Sequence, residues 1–381
     1  MKKIITTVGT SLFENYHKKY RDTAFESAYN FFKNKEISAK ELDNLDNQES
    51  RKKSLIDKFN SNYFKNNFDA SAEIKSLIKL QEELKEDFDI YLLHSDTALG
   101  RLAAEIIKDN ISLYEEYGLK ISRVDIHLIE ELKIQNRQKF IQGMQELINN
   151  IYKISQNYWG NVVINITGGY KATIPYLTIL AQVNQCPIYY IFENTDALIQ
   201  IPNIPIDINW KLFEDYWKSF SLIEKSDIIK ESDLPEKFLK DCRAFLESVD
   251  INNEHYCVLN PLGEILWNKY KEKYFVFYTT DDIYEKIKNH KEIQRIFESK
   301  FSNPQIRGSK TQIKNNHYVY DDGNNPYRIF YFEEKDVIYV YEVFANHDDY
   351  SKYLNDTLID QKFKQEFMNN SKCLKYPKEV Q

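Results

Sequence analysis

Three short stretches hold the glycines and small polar residues that suit a phosphate. They are Gly9-Thr10-Ser11, His94-Ser95-Asp96-Thr97 and Thr167-Gly168-Gly169-Tyr170-Lys171. Gly168 and Gly169 are the only adjacent glycines among the 10 in the chain. Glycine lets a ligand come close to the backbone. A helix starting just after such a loop offers free N–H groups and the positive end of its dipole. Lys171 adds a charge of the right sign. The same residues would also make an ordinary tight turn, and spacing alone does not separate the two. Neither G-x-x-x-x-G-K-[ST] nor G-x-G-x-x-G occurs here, so the site is neither a Walker A loop nor a dinucleotide fingerprint.

The elements around these stretches explain their positions. Up to about residue 205, short apolar runs alternate with helical patterns. "KIITTV", "IYLL", "SRVDIHLIE", "NVVINI" and "CPIYYIF" read as strands. Phe140, Met144, Leu147, Ile148 and Ile151 share one helical face. Such alternation predicts an α/β domain, a parallel sheet with helices on both faces. Ligands of such sheets bind at the carboxyl ends of strands, where the three stretches fall. Residues 33–87 are charged and helix-like, an excursion from that core. Residues 206–272 read as a helical middle segment after Pro202 and Pro205. From 273 to 381 the order becomes strand, helix, then "HYVY", "YRIFYF" and "VIYVYEVF", joined by turn residues. That predicts an α+β domain with an antiparallel sheet.

Bulk properties narrow the function classes. A chain of 381 residues predicts two or three domains. It is 42% hydrophobic and 29% charged, as soluble proteins are. No run of 18 apolar residues suggests a membrane span, and "MKKIITTVGTSLF" lacks the long apolar core of a signal peptide. Cys186, Cys242, Cys257 and Cys373 are scattered, which predicts reduced thiols, a cytoplasmic location and no structural metal site. With a net charge of −7, any anion site must be local.

"IITTVGTSLF" and "NITGGYKATIPYLTILAQ" resemble the CRISPR-associated Rossmann-fold (CARF) sensor domain, over residues 1–205. The resemblance implies a homodimer that binds a cyclic oligoadenylate second messenger on its two-fold axis. It favours cyclic tetra-adenylate, whose symmetry matches that axis, over cyclic hexa-adenylate. It implicates Gly9, Thr10 and Ser11 in the first loop, and Thr167, Gly168, Gly169, Tyr170 and Lys171 in the second. His94, Ser95, Asp96 and Thr97, with Asn136 and Arg137, extend the expected contact set.

Sensors of this kind carry effectors. A HEPN ribonuclease needs R-x₄₋₆-H, and no arginine after residue 240 has a histidine at that spacing. A metal-dependent PD-(D/E)xK nuclease needs a Glu-x-Lys strand, but Glu342-Val343-Phe344 lacks the lysine. "YRIFYF…VIYVYEVFANH" instead resembles RelE-type mRNA interferases, from Tyr274 to about Leu358. The resemblance implies a metal-independent endoribonuclease that cuts translated mRNA in the ribosomal A site. It implies phosphate stabilisation by Arg328, general-acid catalysis by His347 with general base as the other option, and base stacking or proton transfer by Tyr353. Lys310 and Lys314 lie in a stretch, 301–320, without acidic residues and read as an RNA-backbone patch. His317 stands on the strand where such enzymes carry lysines, and acidic and basic residues nearly balance over 274–381. Both features depart from free toxins. Two alternatives stay open: a CARF-regulated DNA reader, with 206–272 as a winged helix, and a divergent metal-dependent nuclease.

Overall fold

A computed structural model of the chain describes residues 1–34, 37–44, 49–65, 67–132, 137–192, 195–226, 228–323, 325–334 and 337–378; at 44, 347, 348 and 377 it describes the backbone only. Two units separate. The first takes residues 1–208 with 260–265, and the second takes 209–259 with 266–381.

The first unit runs β1 (Lys2–Val8), α1 (Ser11–Lys19), α2 (Thr23–Asn34), α3 (Glu49–Ile56), α4 (Ser61–Phe64), α5 (Ala72–Leu84), β2 (Phe88–Ser95), α6 (Ala98–Asn110), β3 (Ile121–Ile129), α7 (Arg137–Ser155), β4 (Val162–Asn165), α8 (Ile174–Asn184), β5 (Ile188–Ile191) and β6 (Leu198–Ile201). The sheet order is β3-β2-β1-β4-β5-β6. All neighbours are parallel except β6, which pairs antiparallel to β5. This is the doubly wound Rossmann-like order, and its strand sequence reverses between β1 and β4. Alternating side chains of β1 feed two cores. Ile4 and Val8 pack with α1, α2, α5 and α6, whereas Ile5 packs with α7 and α8. The inner strands β1, β2, β4 and β5 are largely buried, as their continuous apolar runs require, whereas the edge strands β3 and β6 are partly exposed. The charged excursion, 33–87, forms α3 to α5, and its amphipathic faces supply Leu55, Phe64, Ile74 and Leu77 to the first core.

In the second unit come α9 (Trp210–Ser226), β7 (Ile229–Lys230), α10 (Glu236–Asp241), β8 (Leu246–Ile251) and β9 (Glu254–Leu259). Helix α11 (Pro261–Glu272) follows, its first residues grouped with the first unit. The middle segment is therefore not all helical. It carries a three-stranded sheet, β7-β9-β8, and the helix–strand order of a winged helix. Asn252 and Asn253 both have positive φ, 51° and 64°, and close the β8–β9 hairpin as a primed turn. Asn-Asn was the local signal for this hairpin.

The rest comprises β10 (Tyr274–Thr279), α12 (Asp281–Lys288), α13 (Lys291–Ile296), α14 (Pro304–Lys310), β11 (Thr311–Lys314), β12 (His317–Tyr320), β13 (Arg328–Glu334), β14 (Val337–Phe344), α15 (His347–Asp356), α16 (Gln361–Asn370) and β15 (Lys372–Pro377). The expected meander β12-β13-β14 is present and antiparallel. It sits in a six-stranded sheet, β11-β12-β13-β14-β10-β15, in which β10 runs parallel to β14. β11 and β15 extend the sheet beyond the strands read from sequence. Helices cover both faces. Tyr320, Ile329, Tyr331 and Val340 pack under α12 and α13. Val319, Phe330, Phe332 and Tyr341 pack under α15 and α16.

Candidate functional site

The two glycine loops of the first unit meet where β1 and β4 adjoin. Val8 ends β1, and Thr10 stands just before α1 with its hydroxyl donating to Glu14 Oε1 at 3.0 Å. Asn165 ends β4 and organises the second loop. Its Oδ1 accepts from Thr167 N–H at 3.2 Å and from Thr167 Oγ1 at 2.7 Å. Thr167 Oγ1 accepts from Ile191 N–H at 3.1 Å. Thr167 is thereby committed to holding the loop. The loop presses against β1: Thr7 Oγ1 donates to Gly168 O at 2.6 Å.

The glycines are required by this close approach. A methyl on Gly168 would lie 2.0 Å from Glu73 Oε1 and 2.8 Å from Thr7 O. Gly169 has φ +86°, and a methyl there would meet Thr7 Cβ at 2.8 Å. Protein atoms therefore fill the space that Gly168 leaves. Among the described residues, nothing accepts from the N–H groups of Gly168, Gly169 or Tyr170. All three residues are half-buried. Consecutive free N–H groups at a strand end form an anion-binding concavity. Lys171 is exposed beside them and opens a single 3₁₀ turn, Lys171–Thr173, ahead of α8. Thr7, Ser95, Gly169, Tyr170 and Thr173 share one small cavity of about 10 Å³, which brings the ends of β1, β2 and β4 together.

The β2 end is mostly committed to structure. His94 is buried, and its Nδ1–H donates to Ser95 O at 2.9 Å. Burial holds its pKa below the usual histidine value. Ser95 and Thr97 hydroxyls bond each other at 3.1 Å, and Thr97 caps α6 through Gly100 N–H. Asp96 is buried and accepts from Ala39 N–H at 3.0 Å. Arg137 lies exposed at the start of α7, and Asn136 lies outside the described residues.

One residue here escaped sequence reasoning. Glu73, on α5, is fully buried between the two loops. Its Oε1 accepts from Gly9 N–H at 2.8 Å and its Oε2 from Ser11 Oγ at 3.1 Å. Ser11 Oγ in turn accepts from Ala72 N–H at 3.1 Å. Gly9 and Ser11 thus spend their donors on a carboxylate.

In the second unit, Lys314 and Arg328 both lie close to one aromatic ring. Lys314 Nζ lies 5.5 Å and Arg328 Cζ 5.7 Å from the centroid of Tyr350. Arg328 opens β13 and pairs with Asp321 at 2.9 Å, both side chains largely buried. Its Nη1 donates to Asn325 O at 2.9 Å and Tyr327 O at 2.8 Å. Its Nε is buried without a partner among the described residues. Asp321, Asn325 and Tyr350 carried no sequence signal of this role. Lys310 stands apart, at the end of α14, and donates to Asp322 O at 3.4 Å.

His317 is completely buried. Its ring bridges Tyr341 OH and Thr357 O, each at 2.9 Å. The carbonyl can only accept, so Nε2 carries the proton and Nδ1 accepts from the tyrosine. With both nitrogens engaged and its pKa lowered by burial, His317 holds β12 to the turn after α15. Tyr353 packs its ring on Phe330 at 5.6 Å and Phe344 at 5.3 Å, and burial pushes its hydroxyl up to about 12. It stays protonated at neutral pH. His347 begins α15, but its side chain lies outside the described residues.

Among the described residues no helix is long and apolar enough to cross a membrane. No curated protein matches the sequence. Among solved structures, the chain is similar to Can2 from Sulfobacillus thermosulfidooxidans in complex with cyclic tetra-adenylate (cA4), at 13% identity over 74% of this chain and 85% of that one, with a TM-score of 0.20. At residues 68–204, a stretch that spans α5, all but one strand of the first unit's sheet and the T-G-G-Y-K loop, the chain matches the family model described as CRISPR-associated protein (Cas_APE2256).

Proposed function

We propose that the first unit binds a cyclic oligoadenylate, with cyclic tetra-adenylate favoured, at the β1/β4 switch point of a homodimer. The observation that carries this is the run of free N–H groups at Gly168, Gly169 and Tyr170, with Lys171 beside it. A phosphodiester matches those donors, and the switch point of an open α/β sheet is where ligands bind. The match of 68–204 to a CRISPR-associated family supports the same chemistry.

The second unit acts as a ligand-activated endoribonuclease on mRNA in the ribosomal A site. The RNA 2′-OH attacks the adjacent phosphorus, the P–O5′ bond breaks, and a cyclic phosphate and a 5′-OH result. Arg328 and Lys314 neutralise the phosphorane. His347 takes the 2′-OH proton, and protonated Tyr353 donates toward the leaving O5′. Arg328 is tied to Asp321, so RNA phosphate must replace that carboxylate before the step can run. A DNA-reading middle segment fares worse. Between β7 and β8, where a winged helix carries its recognition helix, the longest helix among the described residues is α10, of six residues.

Translating ribosomes incubated with the full chain test the proposal. Cleavage of A-site codons that needs cyclic oligoadenylate and persists in EDTA is expected. Cleavage lost in EDTA would contradict the metal-independent chemistry, and cleavage indifferent to the ligand would contradict the gating.

A further inference from the structure

We infer that Glu73 is an internal anion occupying the donors of the strand-end site, and that a ligand phosphate binds by displacing it. This rests on the oligoadenylate site proposed above. Glu73 is 0% exposed, where carboxylates seldom lie without a cation. Among the described residues it has no cationic partner; its oxygens take Gly9 N–H and Ser11 Oγ. Those two groups line the loop that faces the T-G-G-Y-K loop across the switch point. The carboxylate also lies flush against Gly168, where even a methyl would come within 2.0 Å of Oε1. It therefore stands next to the free N–H groups of 168–170.

Carboxylate and phosphate present the same kind of oxygen to N–H and O–H donors. Two anions this close, in a poorly solvated crevice, repel strongly. The phosphate must therefore overcome Glu73 to settle. Displacement would also be felt beyond the site. Ser76 lies one turn from Glu73 on α5, and its Oγ accepts from Asn165 Nδ2 at 2.7 Å. Asn165 holds Thr167, and Thr167 holds Ile191 N–H. A shift of α5 thus reaches the start of the loop that binds the ligand, and the end of β5 beyond it. Glu73 sets the ligand concentration at which the site fills, because the free energy of moving it is subtracted from binding.

Titration calorimetry on the full chain tests this with cyclic tetra-adenylate and, in parallel, inorganic phosphate. Glu73→Gln keeps the shape and removes the charge, so at least a tenfold gain in affinity for the ring is expected. Equal or weaker affinity in a variant with wild-type thermal unfolding overturns the inference. Hydrogen exchange on the wild type needs no variant: residues 72–84 should exchange faster when ligand is bound, and unchanged or slower exchange overturns it too. If the wild type binds no cyclic oligoadenylate, the ligand class proposed above is wrong. Phosphate then still decides the role of Glu73, through a gain or no gain in the Gln variant.

Discussion

Arg328 shows how a residue named from sequence acquires a second role once its neighbours are known. Its charge is matched by Asp321, with both side chains little exposed at 13% and 14%. Removing one member of such a pair strands the other without a counter-ion. Arg328→Ala should therefore destabilise the second unit by roughly 3–5 kcal/mol as well as stop cleavage. Urea unfolding of the full chain measures this; a loss well under about 1 kcal/mol would show that the pair does not hold β13. Sequence pointed to Arg328 and to Lys314, and both stand at Tyr350. It could not point to Asp321 or Tyr350, because nothing in an acidic turn or a helical tyrosine marks its partner. Glu73 was hidden for a similar reason. It lies 64 residues from Gly9 in sequence and looks like any acidic residue in the first turn of a charged helix.

At the scale of elements, apolar runs were a reliable guide where strands are largely buried. β1, β2, β4 and β5 were legible this way, as was the meander of β12, β13 and β14, and the half-buried edge strand β3 carried enough apolar residues to be read too. Edge strands of low apolar content were harder, since half their groups face solvent. β11 is Thr-Gln-Ile-Lys, and only the Asn315-Asn316 turn, with φ of 47° and 66°, marks its hairpin with β12. The same Asn-Asn signal at 252–253 marked the hairpin that breaks the helical middle. The contact of β12 with the turn after α15 has a measurable consequence. His317 must stay neutral there, facing Tyr341 and Tyr353, whose hydroxyls burial also keeps protonated. Its folded pKa lies below the unfolded value near 6.5. Below about pH 6.5 the unfolded chain thus binds a proton that the folded chain refuses, and stability falls as pH drops. Between pH 7.5 and 5.5 the unfolding free energy of the wild type, from urea titration, should fall by up to about 1.4 kcal/mol per pH unit from this group. His317→Gln should fall less. An identical decline in the variant would place the titrating group elsewhere.

For the whole molecule, the architecture is an α/β Rossmann-like fold and an α+β fold, each with its own core. A net charge of −7 leaves no general attraction for RNA or nucleotides, so both proposed anion sites must be built locally. The first is built from backbone N–H groups and one exposed lysine, the second from an arginine and a lysine around one ring. The position proposed for the first comes from the coincidence of strand ends and glycines in sequence. The packing there was not legible, because the glycines at 168 and 169 mainly admit β1 and Glu73. Everything proposed downstream depends on that first site holding a cyclic oligoadenylate. Calorimetric titration of cyclic tetra-adenylate into the full chain and into Lys171→Ala addresses this directly. Saturable binding at one ring per two chains, weakened about tenfold or more in a Lys171→Ala protein that unfolds at the wild-type temperature, is expected. No binding of either cyclic tetra- or hexa-adenylate, or equal affinity in the variant, would contradict it.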